Sequence, residues 1–178
     1  MNTIDIMLDL ETIGTRPGSV VLAIGAVPSE GDPFYRKIDL RDSLYLGLTL
    51  DVDTMSWWRK QAREAWLSST DATVSLEFAL IDFDEWLLAA RKGSDAQTTG
   101  NKIRLWGDAA SFDCVLLKGV YTAAGKHAPW NYTEEFCYRT LRTLLGSEKP
   151  RAKLQHDALS DARAQLFHLQ EMLKRLGV

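Results

Sequence analysis

The sequence predicts an α/β protein, a mixed sheet with helices on its faces. Three observations carry this expectation. Residues 4–11 alternate apolar and polar with the period of two expected of a strand. Residues 20–27 (VVLAIGAV) form a nearly continuous apolar run, the mark of a strand buried on both faces. Further on, segments of helical spacing alternate with short apolar runs, so that three consecutive strands are followed by helix, strand, helix, strand and helix. At 178 residues the chain fits one domain, 1–178, large enough to bury a core without disulfides.

In the first strand Ile4, Ile6, Leu8 and Leu10 take one side, and Asp5, Met7, Asp9 and Glu11 the other. Gly14-Thr15-Arg16-Pro17-Gly18 is a turn before the second strand, and a second turn at 29–33 leads to a third strand expected over 34–40. Residues 51–67 contain good helix formers with a weak amphipathic pattern and read as one or two short helices. From 75 to 92, Leu76, Ala79, Leu80, Phe83, Leu87 and Ala90 recur at helical spacing, with Gly93 as the stop. The polar stretch 94–102 reads as a loop. A short strand at 103–106 then leads through 107–111 into a helix over 112–124, for which Ser111 offers an N-cap. A further strand at 135–138 precedes a short helix ending near Gly146. After a basic connection at 151–155, the last helix runs over 158–176, with Ala162, Leu166, Leu169, Leu173 and Leu176 on one stripe and Gly177 beyond it.

Composition narrows the function. Cys114 and Cys137 have no paired spacing and read as two reduced thiols in apolar surroundings. A net charge of -3 argues against coating nucleic acid by bulk electrostatics, but not against an enzyme with divalent cations and a local basic patch. Nothing resembles a signal peptide and no apolar run is long enough to span a bilayer, so the expectation is a cytoplasmic protein with no membrane partner.

Several acids stand where chemistry can use them. Asp9 and Glu11 point the same way and repel each other. A bound cation stabilises such a pair, and an acidic strand end facing solvent is the other reading. Asp113 falls in the first turn of a helix, where a carboxylate stabilises the positive helix end by about 0.3 to 1 kcal/mol. Asp157 can cap the last helix, leaving His156 just outside it and Asp161 at the margin of the apolar stripe, where a salt bridge is the plain alternative. His168 shares the face of Asp161 two turns on and reads as packed or solvated. His127 lies in a loop and reads as a surface residue.

Taken together, Asp9-Leu10-Glu11-Thr12, Phe112-Asp113 and His156-Asp157-Ala158-Leu159-Ser160-Asp161-Ala162 resemble, in order and spacing, the three motifs of the DEDDh exonucleases. That superfamily includes ribonuclease T, oligoribonuclease and the proofreading subunit of the bacterial replicative polymerase. The third motif is the most specific, and the resemblance extends from residue 4 to about 176. Ile13 after Thr12 departs from the usual first motif, which bears on substrate contacts rather than catalysis. The Trp57-Trp58 pair and the Trp106-Gly107 lead-in resemble the small phage and actinobacterial branch.

The resemblance implies a ribonuclease H-like fold, a five-stranded mixed sheet of order 3-2-1-4-5 with strand 2 antiparallel. It implies a 3′-to-5′ exonuclease acting on single-stranded nucleic acid 3′ ends and releasing nucleoside 5′-monophosphates with two divalent cations, Mg²⁺ or Mn²⁺. Asp9 would bridge the ions, Glu11 and Asp161 would hold the nucleophile-side ion, Asp113 would bind directly or through water, and His156 would be the general base. Leu10, Thr12, Trp57, Trp58, Phe112, Arg151 and Lys153 are the expected substrate contacts. Of the two tryptophans the resemblance favours Trp58, with core packing as the other role for either. Lys149, Arg151 and Lys153 form a basic run just before His156, for which phosphate contact and a solvated loop are the two readings. A homodimer is implied as well. A non-catalytic nucleic-acid-binding module and a ribonuclease H-like endonuclease are the competing readings, and no motif separates RNA from DNA.

Overall fold

The computed structural model describes residues 2–92 and 100–178. Gly93 and most of the polar stretch at 94–102 lie outside the described residues. Five strands, β1 (Thr3–Thr12), β2 (Val21–Pro28), β3 (Phe34–Lys37), β4 (Lys102–Gly107) and β5 (Glu135–Cys137), form one sheet in the order β3-β2-β1-β4-β5. β1 pairs antiparallel with β2 and parallel with β4, β2 pairs antiparallel with β3, and β4 pairs parallel with β5. β2 therefore runs against the other four, as the sequence resemblance implies. The helices are α1 (Leu40–Tyr45), α2 (Val52–Trp58), α3 (Arg63–Thr70), α4 (Leu76–Lys92), α5 (Asp113–Ala123), α6 (Tyr138–Leu144) and α7 (Ala158–Leu176), with a 3₁₀ turn at Tyr132–Glu134. Among the described residues, no helix is long and apolar enough to cross a membrane.

Three local expectations change. The third strand stops at Lys37 rather than residue 40, because the Asp39 carboxylate accepts the Arg41 N–H at 2.8 Å and caps α1. The alternation of Ile38 and Leu40 conceals that switch. The segment 51–67 holds two short helices, α2 and α3, within the expectation of one or two, but α3 continues past it to Thr70. Ser111 does not cap α5. Phe112 holds the cap position without a side-chain bond, and the N–H groups of Phe112 and Asp113 both donate to the Ala109 carbonyl, at 2.7 and 3.0 Å.

The alternation along β1 separates two cores. Ile4, Ile6, Leu8 and Leu10 pack with Leu22 and Ile24 of β2, Leu80 and Phe83 of α4, and Leu117 and Tyr121 of α5. Met7 faces the opposite layer, where Ala162, Leu166, Leu169 and Met172 of α7 join Trp106 and Tyr138. The polar-looking side of β1 is thus covered by the apolar stripe of α7. Asp5, on that same side, is neutralised by Arg104, whose Nε lies 2.6 Å from it, and it accepts the Trp106 indole N–H at 2.7 Å.

Gly25 determines how close α7 comes. It pairs with Asp9 across β1 and β2. A Cβ at Gly25 would fall 2.4 Å from the Ala158 carbonyl carbon and 2.6 Å from the Leu159 nitrogen. The first turn of α7 therefore lies directly on the sheet beside Asp9.

Candidate active site

Asp9 and Glu11 project from the last turns of the pleat in β1, just before a register shift at Glu11/Thr12. Asp161 reaches them from the first turn of α7. One carboxylate oxygen from each of Asp9, Glu11 and Asp161 lies within 4.8 Å of the others. Asp113, at the start of α5 beyond β4, is buried and faces the same cleft of about 500 Å³. Its Oδ2 has no hydrogen-bond partner, and Gly107 leaves room for it, since a Cβ there would stand 2.8 Å from that oxygen.

The N-terminus of α7 is pinned from two sides. The Asp157 carboxylate accepts the Ser160 N–H at 2.8 Å and the Tyr35 hydroxyl at 2.9 Å, and Tyr35 lies beside Gly25 in the sheet. His156 precedes that cap with φ 61°, the left-handed region, which costs a side-chain-bearing residue about 1 to 2 kcal/mol. Its N–H donates to Asp161 Oδ2 at 2.8 Å, and its ring meets the Trp57 ring edge-on with centroids 4.7 Å apart. The strained backbone therefore holds the imidazole at the rim of the acidic cluster.

Every acid of the cluster resists ionisation. Burial, then Asp113, Glu11 and Asp161, push the Asp9 carboxyl well above the usual range. Burial, then Asp161 and Asp157, do the same to Glu11. Burial, then Asp108, push Asp113 up to about 7, and burial raises Asp161. Gln165, one turn beyond Asp161, donates its amide N–H to Asp9 Oδ1 at 2.8 Å, while its own Oε1 is buried without a partner. An all-oxygen set of crowded carboxylates with an unpartnered buried oxygen fits a hard divalent cation such as magnesium or manganese.

A pH dependence follows. These carboxyls bind protons more tightly in the folded chain than in the unfolded one. Their contribution to stability is therefore full below about pH 4 and is lost as pH rises through the folded values, about 7 for Asp113. In a chelator the protein is expected to melt lower at about pH 8 than at about pH 5.5, and added magnesium or manganese to raise the melting temperature more at the higher pH. Differential scanning fluorimetry reads both. A metal-free melting temperature that climbs over this interval contradicts the expectation.

The family model described as 3'-5' exoribonuclease Rv2179c-like domain matches residues 4–173. The chain belongs to this family. It is therefore a 3′-5′ exonuclease domain, a hydrolase with the ribonuclease H-like sheet. No curated protein matches it. Among solved structures it is similar to E. coli exonuclease I in a zinc-bound complex with single-stranded DNA, at 11% identity and TM-score 0.67, covering 98% of this chain and 41% of that one. It is equally similar to E. coli exonuclease I with a dT13 oligonucleotide, at 12% identity and TM-score 0.67, covering 98% and 42%. The chain thus spans about two fifths of exonuclease I, and the likeness at this identity concerns the fold.

The other expected site residues of the exonuclease domain divide by place. Leu10, Thr12, Trp57, Trp58 and Phe112 line a second hollow of about 580 Å³ that shares Leu10, Glu11 and Phe112 with the acidic cleft. Trp58 is only 4% exposed and donates its indole N–H to the Thr12 carbonyl at 2.8 Å, whereas Trp57 is 41% exposed. Arg151 lines the acidic cleft. Lys153 lines a neighbouring depression with Arg163 and Phe167. His168 is tied between the Tyr138 hydroxyl at 2.6 Å and the Ser147 hydroxyl at 2.7 Å, away from the acids. Both cysteines are free thiols. Sequence reasoning missed Gln165, Asp108 and Arg139. Only Gln165 left a trace, since a polar residue four positions after Asp161 lies on the same helix face.

Proposed function

We propose that the chain removes nucleotides singly from the 3′ end of single-stranded nucleic acid, releasing nucleoside 5′-monophosphates, with two divalent cations, Mg²⁺ or Mn²⁺, held by Asp9, Glu11, Asp113 and Asp161. The observation that carries this reading is the convergence of Asp9, Glu11 and Asp161 within 4.8 Å, with the unpartnered Asp113 oxygen in the same cleft. Bound there, the cations would polarise the attacking water and stabilise charge on the phosphate and the leaving oxygen. His156 takes the proton from that water. Its backbone bond to Asp161 and its ring contact with Trp57 keep it at the mouth of the cleft.

The terminal nucleoside fits the hollow beside the acids. There Trp57 offers an exposed ring for stacking, an interaction worth about 1 to 3 kcal/mol per base, with Leu10 and Phe112 completing the apolar wall. The buried Trp58 supports Thr12 from behind through its indole bond. Arg151, which lines the acidic cleft, and Lys153, in the neighbouring depression, contact backbone phosphates. The homodimer belongs to the same reading and is tested by sedimentation equilibrium, where a monomer at micromolar concentration removes it.

The deciding assay uses 5′-labelled RNA and DNA oligonucleotides of matched sequence, single-stranded or circular, with magnesium. A ladder growing from the 3′ end is expected on linear strands, and His156→Ala is expected to slow it by roughly a hundredfold or more. Cleavage of the circle would favour an endonuclease. A wild-type chain that binds the strands without cutting them would favour a binding module.

A further inference from the structure

We propose that Arg139 and Lys149, fixed side by side on Asp108, form a clamp for the phosphodiester on the 5′ side of the scissile one. This rests on the exonuclease reading above. Asp108 directly follows β4. Its backbone carbonyl accepts the Arg139 N–H at 2.9 Å, and its Oδ2 accepts from the Arg139 guanidinium at 3.2 Å and from Lys149 Nζ at 3.1 Å. Arg142 stands 3.9 Å from Oδ1. Three cations around one carboxylate leave a net positive charge at this spot. Against the upward push of burial, Lys149 and Arg139 hold the Asp108 carboxyl below its usual range. Asp108 is thus an anchor for cations, unlike the four acids beside it.

Location decides which phosphate the clamp meets. Asp108, Arg139 and Lys149 line the acidic cleft but not the hollow that contains Trp57. The two spaces meet at Leu10, Glu11 and Phe112. A strand with its terminal nucleoside in the hollow has its scissile phosphate at the acids, and its next phosphate falls on the far side, where the clamp lies. The side chains of Arg139 and Lys149 are 57% and 39% exposed, and a guanidinium has five N–H donors and an ammonium three. Donors therefore remain for an anion after Asp108 is served. Lys149 stands at the head of the basic run. Arg139 comes from α6, so the clamp joins two segments that are distant from Asp108 in sequence.

The test compares a single-stranded oligonucleotide of about eight nucleotides with the p-nitrophenyl ester of thymidine 5′-monophosphate, which carries one phosphodiester and nothing upstream. Arg139→Gln and Lys149→Gln are each expected to raise KM for the oligonucleotide roughly tenfold with kcat little changed, and to leave kcat/KM for the ester within about twofold. Equal losses on both substrates, or on neither, overturn the clamp. Asp108→Asn keeps both cations but frees them. Anchoring predicts a higher KM for the oligonucleotide, whereas a carboxylate that merely cancels charge predicts a lower one, which overturns the anchor.

Binding provides an independent arm. With a chelator present, fluorescence anisotropy of the labelled oligonucleotide across a salt series is expected to lose about 0.7 in log-log slope for each cation removed. If the wild type cleaves neither substrate, the exonuclease reading fails on its own. The slope then still decides whether these two residues hold phosphate, and an unchanged slope in the double variant overturns the proposal. Melting temperatures of the two exposed variants should stay close to wild type, which separates contact from folding.

Discussion

Asp9→Asn is expected to lower exonuclease activity by at least about a thousandfold while making the metal-free protein more stable at about pH 8. Both effects have one cause. Asp9 is buried against Asp113, Glu11 and Asp161, and burial plus these neighbours penalise its charge. An amide removes that penalty and with it the carboxylate that would hold the proposed cations. The local bond can be kept, because Gln165 now donates to Asp9 and has a buried, unpartnered Oε1. Turning the Gln165 amide lets that oxygen accept from an asparagine. The gain should shrink toward about pH 5.5, where a proton already neutralises the cluster in part. Added magnesium should no longer raise the melting temperature as it does in wild type. Retained turnover, or a melting temperature in chelator below that of wild type at the higher pH, would refute the role given to Asp9.

Gly25→Ala is expected to destabilise the fold by about 2 to 4 kcal/mol, a fall of roughly 5 to 15 °C in melting temperature, and to weaken metal-dependent stabilisation. In an ordinary strand the same change is neutral or favourable, because alanine gives up less backbone freedom on folding. Here the new methyl meets the backbone of Ala158 and Leu159 rather than a flexible side chain. Relief requires α7 to move off the sheet, and α7 carries Asp161 and Gln165 and follows His156. A single methyl, placed opposite Asp9 and touching no catalytic group, should therefore disturb the acids through their scaffold. Unchanged melting and unchanged metal response would mean that α7 does not rest on Gly25.

Much of this was legible in the chain. The alternation at 4–11 gives β1 and puts Asp9 and Glu11 on one side, because side chains of a strand leave it in turn. The stripe in 158–176 gives α7, and the capping role of Asp157 follows from its place before the helix. Competing local signals hid the rest. Ile38 and Leu40 continue a strand alternation into α1, and Ser111 advertises a cap that the Ala109 carbonyl makes unnecessary. Nothing local distinguishes Trp57 from Trp58. Which indole is buried depends on the Thr12 carbonyl, 46 positions away in sequence from Trp58.

The sequence by itself determined most of the strand and helix pattern, the exonuclease family, and the placement of Asp9 and Glu11 on one side of β1. Periodicity and motif order are properties of neighbouring residues and need no third dimension. Only the tertiary structure decided that the acidic side of β1 lies under α7, that a glycine opposite Asp9 admits that helix, and that Gln165 reaches Asp9. It alone set Arg139 and Lys149 on Asp108. These are contacts between segments distant in the chain, fixed by how closely layers pack and where buried charge finds a partner, and neither quantity is written in any one stretch.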